Sequence, residues 1–219
     1  MQNSAFFYKL EIEHIGCWTS YVPAKYIDIL IGYTYYNQYL KAIRLSKDFN
    51  KNDFSKLKGM MRQDSSVKLI NAYNVDNSSS IISMNVDYHE TFLDKLIELH
   101  IFPIKSGVSK NHENYIFLSD NGKIAGLKNQ LQKFERIKII KFQEINSDTI
   151  IPEIGNFLMD IFLTEREREI IKFAKENGFF NIPRKSSNTE LASQLKISKM
   201  AMSVEIRKAL NKIVEKIYK

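Results

Sequence analysis

Apolar and polar residues alternate over residues 6–14, and again over 26–36 and 39–46, in runs rich in aromatic and β-branched side chains. A period of two predicts half-buried strands. Over 53–64 the period lengthens: Phe54, Leu57, Met60 and Met61 share one side of a short helix that Asp53 would cap. Another strand is predicted over 67–75, closed by a polar turn at 76–79. The next stretch begins with a strand at 80–88 and a helix at 90–100, with Phe92, Leu93, Leu96, Ile97 and Leu99 inward. Strands at 101–107 and 114–120 flank a polar hairpin at 108–113, and a helix at 121–135 leads into a strand at 136–145. The order β-α-β-β-α-β is the split-βαβ, ferredoxin-like (ACT-like) arrangement. The earlier segment follows the same order with its first helix replaced by residues 16–23. Residues 1–150 are therefore expected to be two tandem ferredoxin-like halves.

Residues 151–162 read as a linker, a helix or loop starting at Pro152. From Leu163 onward only helical spacing remains, so the fold class is α+β: a mixed region followed by an all-α domain over 163–219. Thr164 and Glu167 form a capping box, Leu163, Ile170, Ile171 and Ala174 repeat at helical spacing, and Gly178 stops the helix. Ser187 and Glu190 form a second box, opening a helix with Leu191, Ala192 and Leu195 inward. After the short turn at Lys196 and Ile197, Ser198 caps a third helix whose buried stripe would be Met202, Ile206, Ala209, Ile213 and Ile217. Helix, tight turn, helix, with Ile197 plugging the turn, is a helix-turn-helix.

Charge sharpens this picture. The net formal charge is +7, yet residues 1–162 carry 19 Lys and Arg against 18 Asp and Glu, while residues 163–219 carry 13 against 7. A solvated Lys-rich helix would do the same, but the cations sit where a docking face would be: Arg184 and Lys185 before the second helix, and Lys199, Arg207, Lys208 and Lys212 on the third. Lys199, Met200, Ser203 and Arg207 are the candidates for base edges. Arg184, Lys185 and Lys208 are candidates for phosphates, with Ser187 and Thr189 at the start of the second helix and Ser198 at the mouth of the third.

The same residues carry a resemblance. The Leu-Thr-x-Arg start at Leu163, Gly178-Phe179-Phe180 followed by Pro183-Arg184, Glu190-Leu191-Ala192, and Ile197-Ser198-Lys199 resemble the archaeal bacterio-opsin activator-type helix-turn-helix family. The similarity covers about 55 residues. Upstream, His14-x-Gly16-Cys17-Trp18-Thr19 resembles N-terminal domains that accompany this module in archaeal regulators. The resemblance implies a sequence-specific transcription regulator that binds double-stranded DNA. Response-regulator (LuxR-type) and sigma-factor domains share the Leu-Thr-x-Arg-Glu start, but the longer link here, with its aromatic pair and Pro-Arg, favours the archaeal family. All of these bind duplex DNA.

Little else in the chain suggests chemistry. Cys17 is the only cysteine, so no intrachain disulfide can form. No run approaches the ~18 apolar residues of a membrane span, and no secretory signal pattern opens the chain. A cytoplasmic protein with no membrane partner is the expectation. No phosphate-binding loop, dinucleotide fingerprint or hydrolase motif occurs, so neither catalytic residues nor cofactors are expected. His14, Cys17 and Trp18 form the one suggestive cluster, read first as a packed corner and second as a pocket for an apolar effector. No metal is expected there, because a site needs three or four ligands and no second Cys exists. His89, His100 and His112 are scattered and receive no role. A metabolic enzyme with an accessory nucleic-acid domain is the rival reading, and an interaction module for acidic proteins a third. A homodimer is expected, since one helix-turn-helix reads only a few base pairs. The far end of the third helix, with Leu210, Ile213, Val214 and Ile217, could supply its interface.

Overall fold

The alternating segments become strands β1 (Ala5–His14), β2 (Ile27–Tyr36), β3 (Tyr39–Lys47), β4 (Val67–Asn74), β5 (Ser79–Asp87), β6 (Pro103–Ser109), β7 (His112–Asp120) and β8 (Ile137–Ile145). Helices α1 (Phe54–Met61), α2 (Phe92–Glu98) and α3 (Asn121–Lys133) are interspersed, and α4 (Ser147–Phe162), α5 (Glu165–Glu176), α6 (Asn188–Gln194) and α7 (Lys199–Ile217) follow. These assignments come from a computed structural model describing residues 5–24, 26–47, 54–63, 65–75, 79–101 and 103–218. The proposed Asp53 cap and the turn at 76–78 lie outside the described residues. The chain divides into two units, Met1–Pro152 and Glu153–Lys219.

In the first unit the described strands make one sheet in the order β4-β5-β3-β2-β6-β7-β1-β8, and every pairing is antiparallel. Two self-contained ferredoxin-like halves would place β1 between β4 and β3, and β5 between β8 and β7. The chain does the reverse. β1 pairs with β7 and β8, while β5 pairs with β3 and β4, so neither expected half is self-contained. The expectation of independent tandem halves is corrected on this point. From β1 to β2 and from β5 to β6 the chain therefore crosses the middle of the sheet, where β2 meets β6.

One face of the sheet carries two hydrophobic clusters. Tyr8, Leu10, Ile12, Tyr115 and Phe117 of β1 and β7 pack against Phe92 and Leu96 of α2 and Ile124, Leu127 and Leu131 of α3. Ala42, Ile82, Met84 and Val86 of β3 and β5 pack with Leu57 and Met61 of α1 and with Cys17, Trp18 and Tyr26 of the crossover. Each fully buried large side chain contributes about 1.5–3 kcal/mol, which outweighs the modest helix propensity of the short α1 and α2. Thr91 and Asp120 cap α2 and α3, accepting from the N–H groups of Asp94 and Lys123.

Two local expectations change. The turn between β6 and β7 is only Lys110 and Asn111, both at positive φ (54° and 64°), so the polar residues on either side of it belong to strands. The stretch 151–162 takes the helical of its two expected forms, but the helix begins before Pro152, because α4 starts at Ser147 and carries Pro152 inside it.

Candidate nucleic-acid interface and a buried polar centre

In the second unit, both capping boxes form. Thr164 Oγ1 accepts from the Glu167 N–H, and Glu167 accepts from the Thr164 N–H; Ser187 and Glu190 make the reciprocal pair at α6. Ser198 caps α7 by accepting from the Ala201 N–H at 3.0 Å. Between α5 and α6, Gly178 at φ +69° reverses the chain. Its carbonyl accepts from the N–H groups of Asn181 and Lys185, folding the loop back on itself. A Cβ at Gly178 would lie 2.8 Å from the Lys185 Cβ, so only glycine fits. The three helices enclose Ile170, Ala174, Phe179, Leu191, Ala192, Met202 and Ile206, with Ile197 partly buried against them from the α6–α7 turn. Ala209 is buried as well, but the stripe then fades: Ile213 is half-buried and Ile217 is exposed, contrary to its expected burial.

Outside the buried stripe, the N-terminal half of α7 presents exposed Lys199, Met200 and Arg207, with Ser203 half-buried beside them. An open cleft of about 420 Å³ brings Lys199 together with Arg184, Lys185, Ser187 and Thr189. Five of the residues singled out for DNA contact therefore line one polar groove joining the start of α6 to the start of α7. Arg184 is more constrained than its charge suggests, because its guanidinium lies over the Phe179 ring, 4.6 Å from the centroid. Lys208 is exposed and weakly paired with Glu205 at 3.5 Å. Lys212 must be removed from the docking face. Its Nζ donates to both carboxylate oxygens of Glu167, at 2.6 and 2.8 Å, tying α7 to the capping box of α5. Burial opposes the charge on Glu167, but the hydrogen bonds from Lys212 and Thr164 outweigh it and hold the carboxyl below its usual range.

In the first unit, the crossover from β1 to β2 covers a polar centre. Asp28 is fully buried and accepts four hydrogen bonds: from Tyr26 Oη at 2.8 Å, Arg44 Nε at 2.8 Å, Arg44 Nη2 at 2.7 Å and the Val108 N–H at 3.1 Å. Arg44 also stacks on Trp18, 5.4 Å from the ring centroid. Alongside, Glu113 Oε1 meets His14 Nδ1 at 3.2 Å and accepts from Thr19 Oγ1 at 3.1 Å, while Oε2 accepts from Tyr115 Oη at 2.6 Å. Burial would raise the Glu113 carboxyl, but the hydrogen bond and charge of His14 and the hydroxyls of Tyr115 and Thr19 bring it down to about 2. Tyr115 moves the other way, pushed well up by burial and by Glu113.

His14, Cys17 and Trp18 lie in a buried corner. The cavity they line is about 40 Å³, far below the ~300–1,000 Å³ of an organic ligand site. Glu113 is the member that sequence reasoning missed. The sequence pattern puts it at the end of the polar hairpin, but with a two-residue turn it falls within β7, on the inward side of the strand. His112, also expected in the hairpin, lies in β7 and reaches Glu11 at 2.7 Å.

Comparison with known families matches residues 163–215 to the family model described as an HTH DNA binding domain, of the bacterio-opsin activator type. No curated protein sequence matches the chain. The second unit is therefore a helix-turn-helix DNA-binding domain. Among the described residues no helix is long and apolar enough to cross a membrane.

Proposed function

We propose that the protein is a sequence-specific transcription regulator of the archaeal bacterio-opsin activator kind, in which α7 enters the major groove of double-stranded DNA. The observation that carries the reading is the division of α7. Met202, Ile206 and Ala209 face the domain core, while Lys199, Met200, Ser203 and Arg207 face outward along the half of the helix nearest the polar cleft. That is the arrangement a recognition helix needs: base-reaching side chains near its N-terminus, flanked by cations for the phosphates. Arg184, Lys185, Lys208, Ser187, Thr189 and Ser198 take the backbone contacts. The experiment is retention of genomic fragments by the full chain, followed by competition of the retained sequence against unrelated duplex. Equal affinity for both would refute sequence specificity, and binding by a fragment of residues 1–152 would refute the assignment to the second unit.

The protein acts as a homodimer in this reading. Leu210, Val214 and Ile217 are exposed on the last turns of α7, supporting a partner helix there. Light scattering at micromolar concentration decides it, since a mass of 25.6 kDa with full DNA affinity would rule the dimer out. The first unit is the sensing or assembly region. Its strand orders, β8-β1-β7-β6 and β4-β5-β3-β2, support reading it as two ferredoxin-like halves with exchanged first strands.

A further inference from the structure

We propose that His14, Cys17 and Glu113 form a buried binding site for a single divalent first-row transition-metal ion with the ligand preferences of zinc. The three come from separate pieces of chain: His14 ends β1, Cys17 opens the crossover turn, and Glu113 lies in β7. Their donor atoms nevertheless all lie within 4.8 Å of one another, and all three residues are buried. Tetrahedral zinc bonds its ligands at roughly 2.0–2.3 Å, which sets donor-to-donor gaps of about 3.3–3.8 Å. Side-chain movements of about an ångström would close the set. A thiolate, an imidazole and a single carboxylate form the mixed set that borderline transition ions accept, whereas calcium and magnesium demand oxygen.

The surroundings fit an ion better than any larger ligand. Thr19 and Tyr115 donate to the two oxygens of Glu113 and fix its orientation, as outer partners do around metal-bound carboxylates. The three residues line the cavity of about 40 Å³. A single water needs roughly 10–15 Å³, so an ion and one water as fourth ligand can be accommodated. His14 also lines a second cavity of about 160 Å³ with His89, Glu90 and Arg136, which offers a route inward. Charge balances too. Arg44 neutralises Asp28, and the Cys17 thiolate formed on binding, together with the Glu113 carboxylate, offsets the two charges of a divalent ion. The bound ion would pin the β1–β2 crossover to β7.

Titration of the chelator-treated full-length protein with Co2+ at neutral pH tests this. One equivalent should bind with a near-ultraviolet thiolate-to-cobalt charge-transfer band and the intense visible bands of four-coordinate cobalt, and Zn2+ should abolish both. Cys17→Ser should lose the charge-transfer band, and Glu113→Gln should weaken binding about tenfold or more. The alternative histidine–carboxylate pairs, His112 with Glu11 and His89 with Asp94, contain no thiol and cannot produce that band. Should either variant fail to fold, the wild-type spectrum decides alone. Folded wild-type protein showing no thiolate band, or only the weak spectrum of six-coordinate cobalt, would overturn the proposal. So would a Cys17→Ser variant with the wild-type spectrum.

Discussion

Lys212→Met separates a structural lysine from a DNA-contacting one. Glu167 is almost fully buried and receives three donors, the first of them the capping-box bond: the Thr164 N–H at 2.9 Å, Thr164 Oγ1 at 3.0 Å and Lys212 Nζ at 2.6 Å. The Lys212 side chain is 43% exposed, so solvent screens its half of the pair. That places the pair near the upper end of the ~0–1 kcal/mol of exposed ion pairs, with the cap itself worth about 1 kcal/mol. Lys212→Met should therefore cost about 1 kcal/mol and Glu167→Ala about 2 kcal/mol, with a coupling near 1 kcal/mol in the double-mutant cycle. Urea unfolding followed by the helical circular-dichroism signal reads both. Because the folded Glu167 carboxyl lies below its ordinary 4.5, the pair stabilises above that pH and loses its contribution as pH falls through the lower folded value. The Lys212→Met penalty should vanish with it. On DNA, Lys212→Met should leave the salt dependence of affinity unchanged. If it instead flattened the slope by ~0.9 at unchanged stability, Lys212 would be a phosphate contact and the docking face would have to extend further along α7.

Three more outcomes follow from the same geometry. Arg207→Ala should lose about 1–3 kcal/mol of preference for the cognate sequence, whereas Lys208→Ala should weaken all duplexes alike and flatten the salt slope by ~0.9; fluorescence anisotropy at several salt concentrations separates the two, and an unchanged Arg207→Ala preference would refute the face. Gly178→Ala should destabilise the second unit by more than the ~1–2 kcal/mol of left-handed strain, because its Cβ also meets the Lys185 Cβ; an unchanged urea midpoint would contradict this. Glu113, at about 2 when folded against an ordinary 4.5, stabilises the first unit above about pH 4.5 and loses that contribution on acidification toward pH 2. Trp18, buried in that unit, reports the loss by fluorescence, and Glu113→Gln should flatten the profile in that window.

The second unit was largely legible in the sequence because its information is local. Capping boxes pair residues three apart, the buried stripe of α7 recurs every three or four residues, and the candidate DNA contacts lie within 25 positions of one another. What escaped was the pairing of Lys212 with Glu167, which spans 45 positions and turns an apparent docking cation into a strut. In the first unit, alternation located each strand to within a residue or two but carried no information about partners. A strand's two faces look the same whether its neighbour is β7 or β3. The hairpin between β6 and β7 shows a second limit. The residues at 108–113 read as a polar hairpin, yet His112 and Asn114 face one side of the strand and Glu113 the other, where its polarity serves a buried network.

The order of strands in the sheet gives a physical reason for that network. In the sheet β6 and β7 separate β1 from β2, and β3 and β2 separate β5 from β6, so the chain passes twice over the sheet's centre, between β1 and β2 and between β5 and β6. A crossover of irregular backbone buried against strands needs polar partners for groups that water can no longer reach. Asp28 takes the Val108 N–H across the β2–β6 seam, Ser20 donates to the His14 carbonyl, and Asn111 donates to the Val22 carbonyl. The charged residues then follow from Asp28 and Glu113, since a buried carboxylate is tolerated only with its countercharge in place. Arg44 supplies the first countercharge and His14 stands against the second. The centre is thus a consequence of topology, and His14, Cys17 and Glu113 converge because β1 pairs with β7 and delivers its end beside Glu113.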